Sequence, residues 1–166
     1  MKTILSEKLP RILKNKKRLE DRLIIKITNR GKEVSINGNP ENEYLAEKVI
    51  EAINFGFSFK TAMLIKEEAN IFEIINIKDH TKRKDLERIR ARIIGTKGKT
   101  LKTLNELTKC HFELKDNNVG VIGDSEYIEN AQNAIISIIK GSKQSNVYNF
   151  LEKHQVKDVV DLGLKQ

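Results

Sequence analysis

The chain has 166 residues, with 31 Lys and Arg against 23 Asp and Glu (formal net charge +8), 39% hydrophobic and 5% aromatic residues, and no Trp. That length holds one large domain or two small ones, with a core built from Ile, Leu and Val. No apolar run is long enough to span a bilayer, and Met1-Lys2-Thr3-Ile4-Leu5 lacks the apolar stretch of a secretory signal. The single cysteine excludes an intramolecular disulfide, so a reducing cytoplasm is the expected setting.

Lys2 to Arg18 holds seven basic residues against Glu7 alone. Residues 23–28 read as a strand, which the turn Asn29-Arg30-Gly31-Lys32 joins to a second strand over 33–36. Asn39-Pro40 starts a helix, with Leu45, Val49, Ile50 and Ile53 at helical spacing and Gly56 just past its end. Gly56-Phe57-Ser58 breaks the chain, and Ser58 caps a short helix through Lys66. Residues 71–77 read as a strand. Two helices are expected next, over about 85–94 and 98–108, with the apolar stripes Leu86, Ile89, Ile93 and Leu101, Leu104, Leu107. A hairpin over 110–114 and 119–122 turns at Lys115-Asp116-Asn117-Asn118. Asp124-Ser125 then opens a helix carrying Ala131, Ala134, Ile135 and Ile138, ended by Gly141. A last helix is expected over about 146–154, with a loose tail beyond it.

This order contains a repeat. Residues 34–56 align without gaps on 119–141, at an offset of 85. Val34 falls on Val119, Gly38 on Gly123, Glu41 on Glu126, Ala46 on Ala131 and Gly56 on Gly141. The expected fold is α+β: two similar units in tandem, each a small three-stranded sheet covered on one face by helices. The boundary is placed between residues 66 and 67, giving units 1–66 and 67–166.

The positive charge is concentrated in two blocks. Lys82 to Lys102 carries nine basic residues against Asp85 and Glu87. Inside it, Ile94-Gly95-Thr96-Lys97-Gly98-Lys99 separates two amphipathic helices. A glycine at each end allows a sharp reversal and close backbone approach. The second helix begins at the loop, so its free N–H groups and positive dipole end suit a phosphate. These are the physics of a KH module, whose GxxG loop clamps the backbone of about four nucleotides. The motif alone also fits an ordinary helix-turn-helix connection; the surrounding order of strands and helices favours KH. The candidate RNA-binding residues are Gly95, Thr96, Lys97, Gly98 and Lys99 on phosphates, with Lys102 beside them. Arg88 and Arg92 lie on one side of the first helix, Ile94 is a base platform, and the strand edge over 110–114 reads bases. In the first half the equivalent segment is Lys14-Asn15-Lys16-Lys17, which has no glycine. Lys14, Lys16, Lys17 and Arg18 form a secondary basic patch, and this copy is shorter by about one helical turn.

The second half, about residues 71–152, resembles the archaeal KH-domain ribosomal RNA-processing proteins. These are related to the eukaryotic small-subunit assembly factor called partner of Nob (the Dim/Pno family). The resemblance rests on Gly56-Phe57-Ser58 with Ala62-Met63-Leu64, and on Arg92-Ile93-Ile94-Gly95-Thr96-Lys97-Gly98-Lys99-Thr100. Val121-Ile122-Gly123-Asp124 and Gly141-Ser142 followed by Val147-Tyr148-Asn149-Phe150-Leu151-Glu152 complete it. The first half departs by lacking GxxG, and Gln144 stands where a histidine is expected. The resemblance implies two KH domains and single-stranded RNA binding near the 3′ end of small-subunit rRNA during maturation. It also implies partners such as the processing endonuclease and other assembly or initiation factors.

Catalytic chemistry is not suggested. His80, His111 and His154 are scattered, and Cys110 and His111 are strand neighbours whose side chains point to opposite faces. No CxxC or HxxxH spacing is present, so no metal or other cofactor is expected, and Cys110 reads as a small core residue. The chain is expected to be an RNA-binding factor rather than an enzyme. Alternative readings are a KH protein serving mRNA or exosome substrates, and a protein-interaction scaffold with a vestigial KH surface.

Overall fold

The computed structural model describes residues 1–155; the tail expected to be loose lies outside the described residues. The first half runs β1 (Lys2–Leu5), α1 (Leu9–Lys14), α2 (Lys16–Leu23), β2 (Lys26–Arg30), β3 (Glu33–Asn37) and α3 (Pro40–Phe55). After a short α4 (Phe59–Ala62), the second half repeats that order. It runs β4 (Asn70–Asn76), α5 (Leu86–Ile94), α6 (Lys99–Thr108), β5 (His111–Lys115), β6 (Asn118–Asp124) and α7 (Ser125–Ile139). A final α8 spans Gln144–Lys153. The sheets are ordered β1-β3-β2 and β4-β6-β5, with every pairing antiparallel. Residues 34–56 and 119–141 thus occupy the same topological place.

The long helices begin where the local chemistry demands. Asn39 accepts the Asn42 N–H at 2.8 Å ahead of Pro40, whose missing N–H costs nothing in a first turn. Asp124 accepts the Glu126 N–H at 2.8 Å at the head of α7. Each half has its own apolar cluster. Ile12, Leu19, Ile27, Ile36 and Ile50 are buried in the first; Ile77, Ile89, Ile93, Leu104 and Ile135 are buried in the second.

The two halves meet across the second sheet. Val119 and Val121 of β6 face the α5–α7 helices, while Ile122 joins the first-half cluster. A Cβ on Gly120 would lie 2.7 Å from the Phe55 ring. Phe55, Phe57 and Phe72 pack together there, with ring centroids 5.8–6.0 Å apart. The second sheet is therefore covered on both faces, by helices on one and by the first half on the other. The expectation of one covered face holds only for its helices. A polar contact ties the same seam, Lys115 pairing with Glu7 at 2.6 Å, and within the first half Arg11 donates to the Gly56 carbonyl at 3.2 Å.

One expectation for the first half needs correction, and two details add to the others. The strand placed at 23–28 begins at Lys26, because Leu19 and Leu23 form the buried stripe of α2 and Ile24 ends that helix at φ 55. β1 is a strand that four residues of sequence do not announce. The first copy is shorter than the second by less than a full turn in α2, which has 8 residues against 10 in α6; α1 is shorter too, with 6 against 9 in α5.

Candidate nucleic-acid interface

α5 ends at Gly95, whose φ of 77° and ψ of 172° lie in a region closed to residues with a Cβ. A Cβ there would also fall 2.1 Å from Thr100 Oγ1 and 2.7 Å from the Thr100 backbone nitrogen. Gly98 is left-handed (φ 75°, ψ 12°), with open space where its Cβ would be. Between them Lys97 holds φ 56° despite its side chain. The Gly98 N–H donates to the Gly95 carbonyl at 3.1 Å and closes the turn. No side chain caps the first turn of α6, so its N–H groups and positive dipole end stand at the surface behind the loop.

Thr96, Lys97, Lys99, Arg88 and Lys102 are exposed, and Ile94 is 37% exposed beside them. Among the described residues, none of the four cations Arg88, Lys97, Lys99 and Lys102 takes part in an ion pair. Arg88, Arg92, Gly95, Thr96 and Lys99 share the wall of one concavity of about 440 Å³, with Gln144 of α8 on its far side. That arrangement presents positive charge and a bare helix start to a single anionic group.

Arg92 differs from the sequence expectation. Its guanidinium donates to the carbonyls of Ile138 at 3.0 Å and Ser142 at 2.5 Å, and its own carbonyl accepts from Gln144 at 3.4 Å. It ties the end of α7 to the GxxG side of the domain, and Arg88 is left as the cation on α5 that projects freely.

Lys102 lines a second groove, of about 460 Å³, that follows the free edge of β5. Leu101, Lys102 and Asn105 of α6 form one side, and His111, Phe112 and Glu113 of β5 run along it. The opposite wall is Gly56, Phe57, Ser58 and Thr61, from the first half and the connection after it. Burial pushes the Glu113 carboxyl above the usual carboxylate range, with Arg11 and Lys8 opposing that shift, and burial pushes the His111 imidazole down. The sequence singles out the backbone edge over 110–114, but not the side chains of Asn105, His111 and Glu113 or this wall. Spacing reports neighbours within an element, whereas the groove is assembled across the seam.

In the first half, α1 and α2 meet at Asn15 alone, within the expected segment Lys14-Asn15-Lys16-Lys17. The Asn15 amide donates to the Arg11 carbonyl at 2.8 Å, so the junction satisfies itself. Arg18 lies 4.0 Å over the Phe59 ring, beside the groove-lining Ser58 and Thr61. Lys14 and Lys17 are exposed and Lys16 is half-buried. Cys110 is buried, and burial pushes its thiol up to about 11. Among the described residues there is no group of three or more His, Cys, Asp and Glu that could hold a metal ion, and no helix is long and apolar enough to cross a membrane.

A strand, two helices joined by a GxxG loop, a hairpin and a third helix define residues 70–139 as a KH domain. The family model for the eukaryotic-type KH domain (KH-domain type I) matches residues 71–156. A KH domain-containing protein of Methanocaldococcus jannaschii is 26% identical over 120 residues, covering 72% of this chain and 53% of that protein. The pre-rRNA-processing protein pno1 of Aspergillus oryzae is 29% identical over 111 residues, covering 64% and 43%. The chain thus spans about half the length of the curated relatives it matches. Among solved structures, Dim2p from Pyrococcus horikoshii superimposes with a TM-score of 0.84 at 30% identity, covering 92% of this chain and 98% of that one. The a/eIF2alpha–aDim2p–rRNA complex from the same organism matches with a TM-score of 0.81 at 31% identity, covering 92% of both chains. The chain belongs to the Dim/Pno family of KH-domain proteins.

Proposed function

We propose that this chain binds single-stranded RNA through residues 95–98 and acts in small-subunit assembly and rRNA 3′-end maturation. The observation that carries this reading is the uncapped start of α6 behind Gly95 and Gly98, ringed by Arg88, Lys97 and Lys99, which have no ion-pair partners among the described residues. Phosphates sit at the helix start, where backbone N–H groups and cations converge on them. Ile94 carries a base, and the free edge of β5 offers backbone groups for reading others. Arg92 acts through position, holding the end of α7 beside the loop.

Family names support the RNA and the pathway: a relative is called a pre-rRNA-processing protein, and Dim2p was crystallised with rRNA and a/eIF2alpha. An initiation factor is accordingly a proposed partner, as is the processing endonuclease. The role is binding rather than catalysis, in the cytoplasm. The first half is a second KH-like unit without the clamp, and the units divide between residues 66 and 67. The repeated element order supports that division, as do the two apolar clusters, whose buried residues fall on either side of it except for Ile122.

The test is a titration of labelled RNA from the 3′ end of small-subunit rRNA with the native chain and T96D/K97D. Two carboxylates at the loop remove attraction and add repulsion. A loss of about 2–4 kcal/mol is expected, from a few charge-assisted contacts, with an unchanged circular dichroism spectrum. Equal affinity of a folded double variant removes the assigned site.

A further inference from the structure

We propose that the connection between β4 and α5, together with the end of α7, holds a second stretch of RNA backbone, so that the bound strand continues past the GxxG loop and around α5. This rests on the RNA-binding reading above and adds to it a phosphate site that the loop does not contain.

The site is a concavity of about 470 Å³ lined by Lys78, Asp79, His80, Thr81, Lys82 and Lys140. Lys78, Lys82 and Lys140 are exposed, and among the described residues none of them takes part in an ion pair. Asp79 is the one carboxylate in the wall, so the charge there is positive. Lysine is a compact point charge that attracts phosphate without reading sequence. Lys140 alone would be ordinary, since a cation suits the negative end of a helix. Arg92 already donates to the Ile138 carbonyl at that end, at 3.0 Å, and Lys78 and Lys82 come from a different element.

The connection is built rather than loose. Ile77 is buried, and its N–H donates to the Asn117 carbonyl at 2.9 Å. The Asn76 side chain accepts the Lys78 N–H at 3.0 Å, the Thr81 hydroxyl accepts the Arg83 N–H at 3.2 Å, and Arg83 pairs with Asp85 at 3.4 Å. The lysines therefore project from a fixed backbone. The first half makes the same connection, from β1 to α1, with residues 6–8, whereas the second half uses residues 77–85. The topology does not demand the added length, and Lys78, Lys82, Arg83 and Lys84 all lie within it.

The concavity is continuous with the GxxG surface. α5 has 9 residues and is about 13 Å long, with the basic connection at its start and Gly95 at its end. Exposed Arg88 lies between them, in the wall of the GxxG concavity. On the other side, Lys140 lines one concavity and Gln144 the other, with exposed Lys143 between. A free anion such as inorganic phosphate has the same chemistry, but an unbroken run of cations from one concavity to the next suits the successive phosphates of one strand.

The experiment titrates the full chain with oligomers from the 3′ end of small-subunit rRNA, lengthened from about four to about ten nucleotides around a common core. K78Q/K82Q/K140Q is compared with K26Q/K32Q/K66Q, which removes the same charge from exposed lysines elsewhere, and circular dichroism checks that both are folded. The native chain is expected to gain about tenfold or more in affinity with length. K78Q/K82Q/K140Q is expected to lose most of that gain, and its salt dependence on the longest oligomer to flatten by about 0.7 of a log–log slope unit per lost phosphate contact. The K26Q/K32Q/K66Q chain should keep the gain. Equal losses in the two triple variants, a gain that survives K78Q/K82Q/K140Q, or no gain in the native chain overturns the inference while leaving binding at the GxxG loop standing. A gain abolished by millimolar inorganic phosphate at fixed ionic strength would assign the concavity to the free anion and overturns it too. A native chain that binds no oligomer better than T96D/K97D overturns both readings.

Discussion

The two glycines of the loop look equivalent in sequence, and the structure predicts that alanine will tell them apart. At Gly95 the backbone is in the region with positive φ and ψ near 180° that is nearly exclusive to glycine, and such strain costs about 1–3 kcal/mol. A Cβ there would also meet Thr100 Oγ1 at 2.1 Å and Thr100 Cβ at 2.7 Å. Thr100 is 6% exposed and cannot swing into solvent without moving α6. Overpacking of that kind adds about 1–3 kcal/mol. At Gly98 the conformation is left-handed and nothing lies within 4 Å, so the expected cost is about 1–2 kcal/mol from the backbone alone. G95A should therefore destabilise by about 2–6 kcal/mol and G98A by about 1–2 kcal/mol, a large difference in a domain stable by about 5–15 kcal/mol. Urea denaturation followed by circular dichroism is the assay, since the chain has no Trp. Equal midpoints for the two variants would show that the contact with Thr100 does not hold the loop.

Further outcomes bear on the charges and the groove. Neutralising Lys14, Lys16 and Lys17 with glutamine should weaken binding about equally for all RNA sequences. It should also flatten the salt dependence, by about 0.7 of a log–log slope unit per lost phosphate contact; an unchanged slope would place RNA elsewhere. E113Q should raise the urea midpoint near pH 7. Burial raises the native carboxyl pKa, so the unfolded chain ionises first and native stability falls as pH climbs through the unfolded value. The gain should vanish below about pH 4, where both states are protonated. Cys110, buried with its thiol pushed up to about 11, should resist iodoacetamide at pH 8 in the native protein and react readily in urea; fast native labelling would contradict its packing.

What the sequence made legible is what depends on neighbours along the chain. The GxxG turn, the start at Asn39-Pro40 and the helix from Asp124-Ser125 are set by residues a few positions apart, and spacing reports them. Leu23-Ile24-Ile25-Lys26-Ile27 was misread as the start of a strand because a short apolar run has no period of its own. The partner that decides is Leu19, one helical turn back. Arg92 shows the other kind of loss: nothing in its neighbourhood says that the carbonyls of Ile138 and Ser142 arrive beneath it, so the sequence places it with Arg88 as a residue reaching RNA. The groove along β5 draws on residues near 56–61, 101–105 and 111–113 at once, so spacing within one element reports its strand edge and not its walls.

The repeat separates glycines that both halves share from glycines that only the second half has. Gly38 and Gly123 are equivalent, and each admits the residue before an edge strand. A Cβ on Gly38 would lie 2.9 Å from Ile25 Cγ2, and one on Gly123 would lie 2.4 Å from Cys110 Sγ. Ile25 and Cys110 are themselves 85 residues apart, so the same close approach is built twice from different side chains. Both halves need it to fold, and both have the glycine. The pair Gly95 and Gly98 has no counterpart at Lys14-Asn15-Lys16-Lys17, where Asn15 joins the helices and satisfies the Arg11 carbonyl with its own side chain. Two helices can therefore be joined at this place in the fold without a GxxG loop. In the second half Gly95 lets the turn close on Thr100, while Gly98 has open space where its Cβ would be, so the same junction is built with a surface loop at the start of α6.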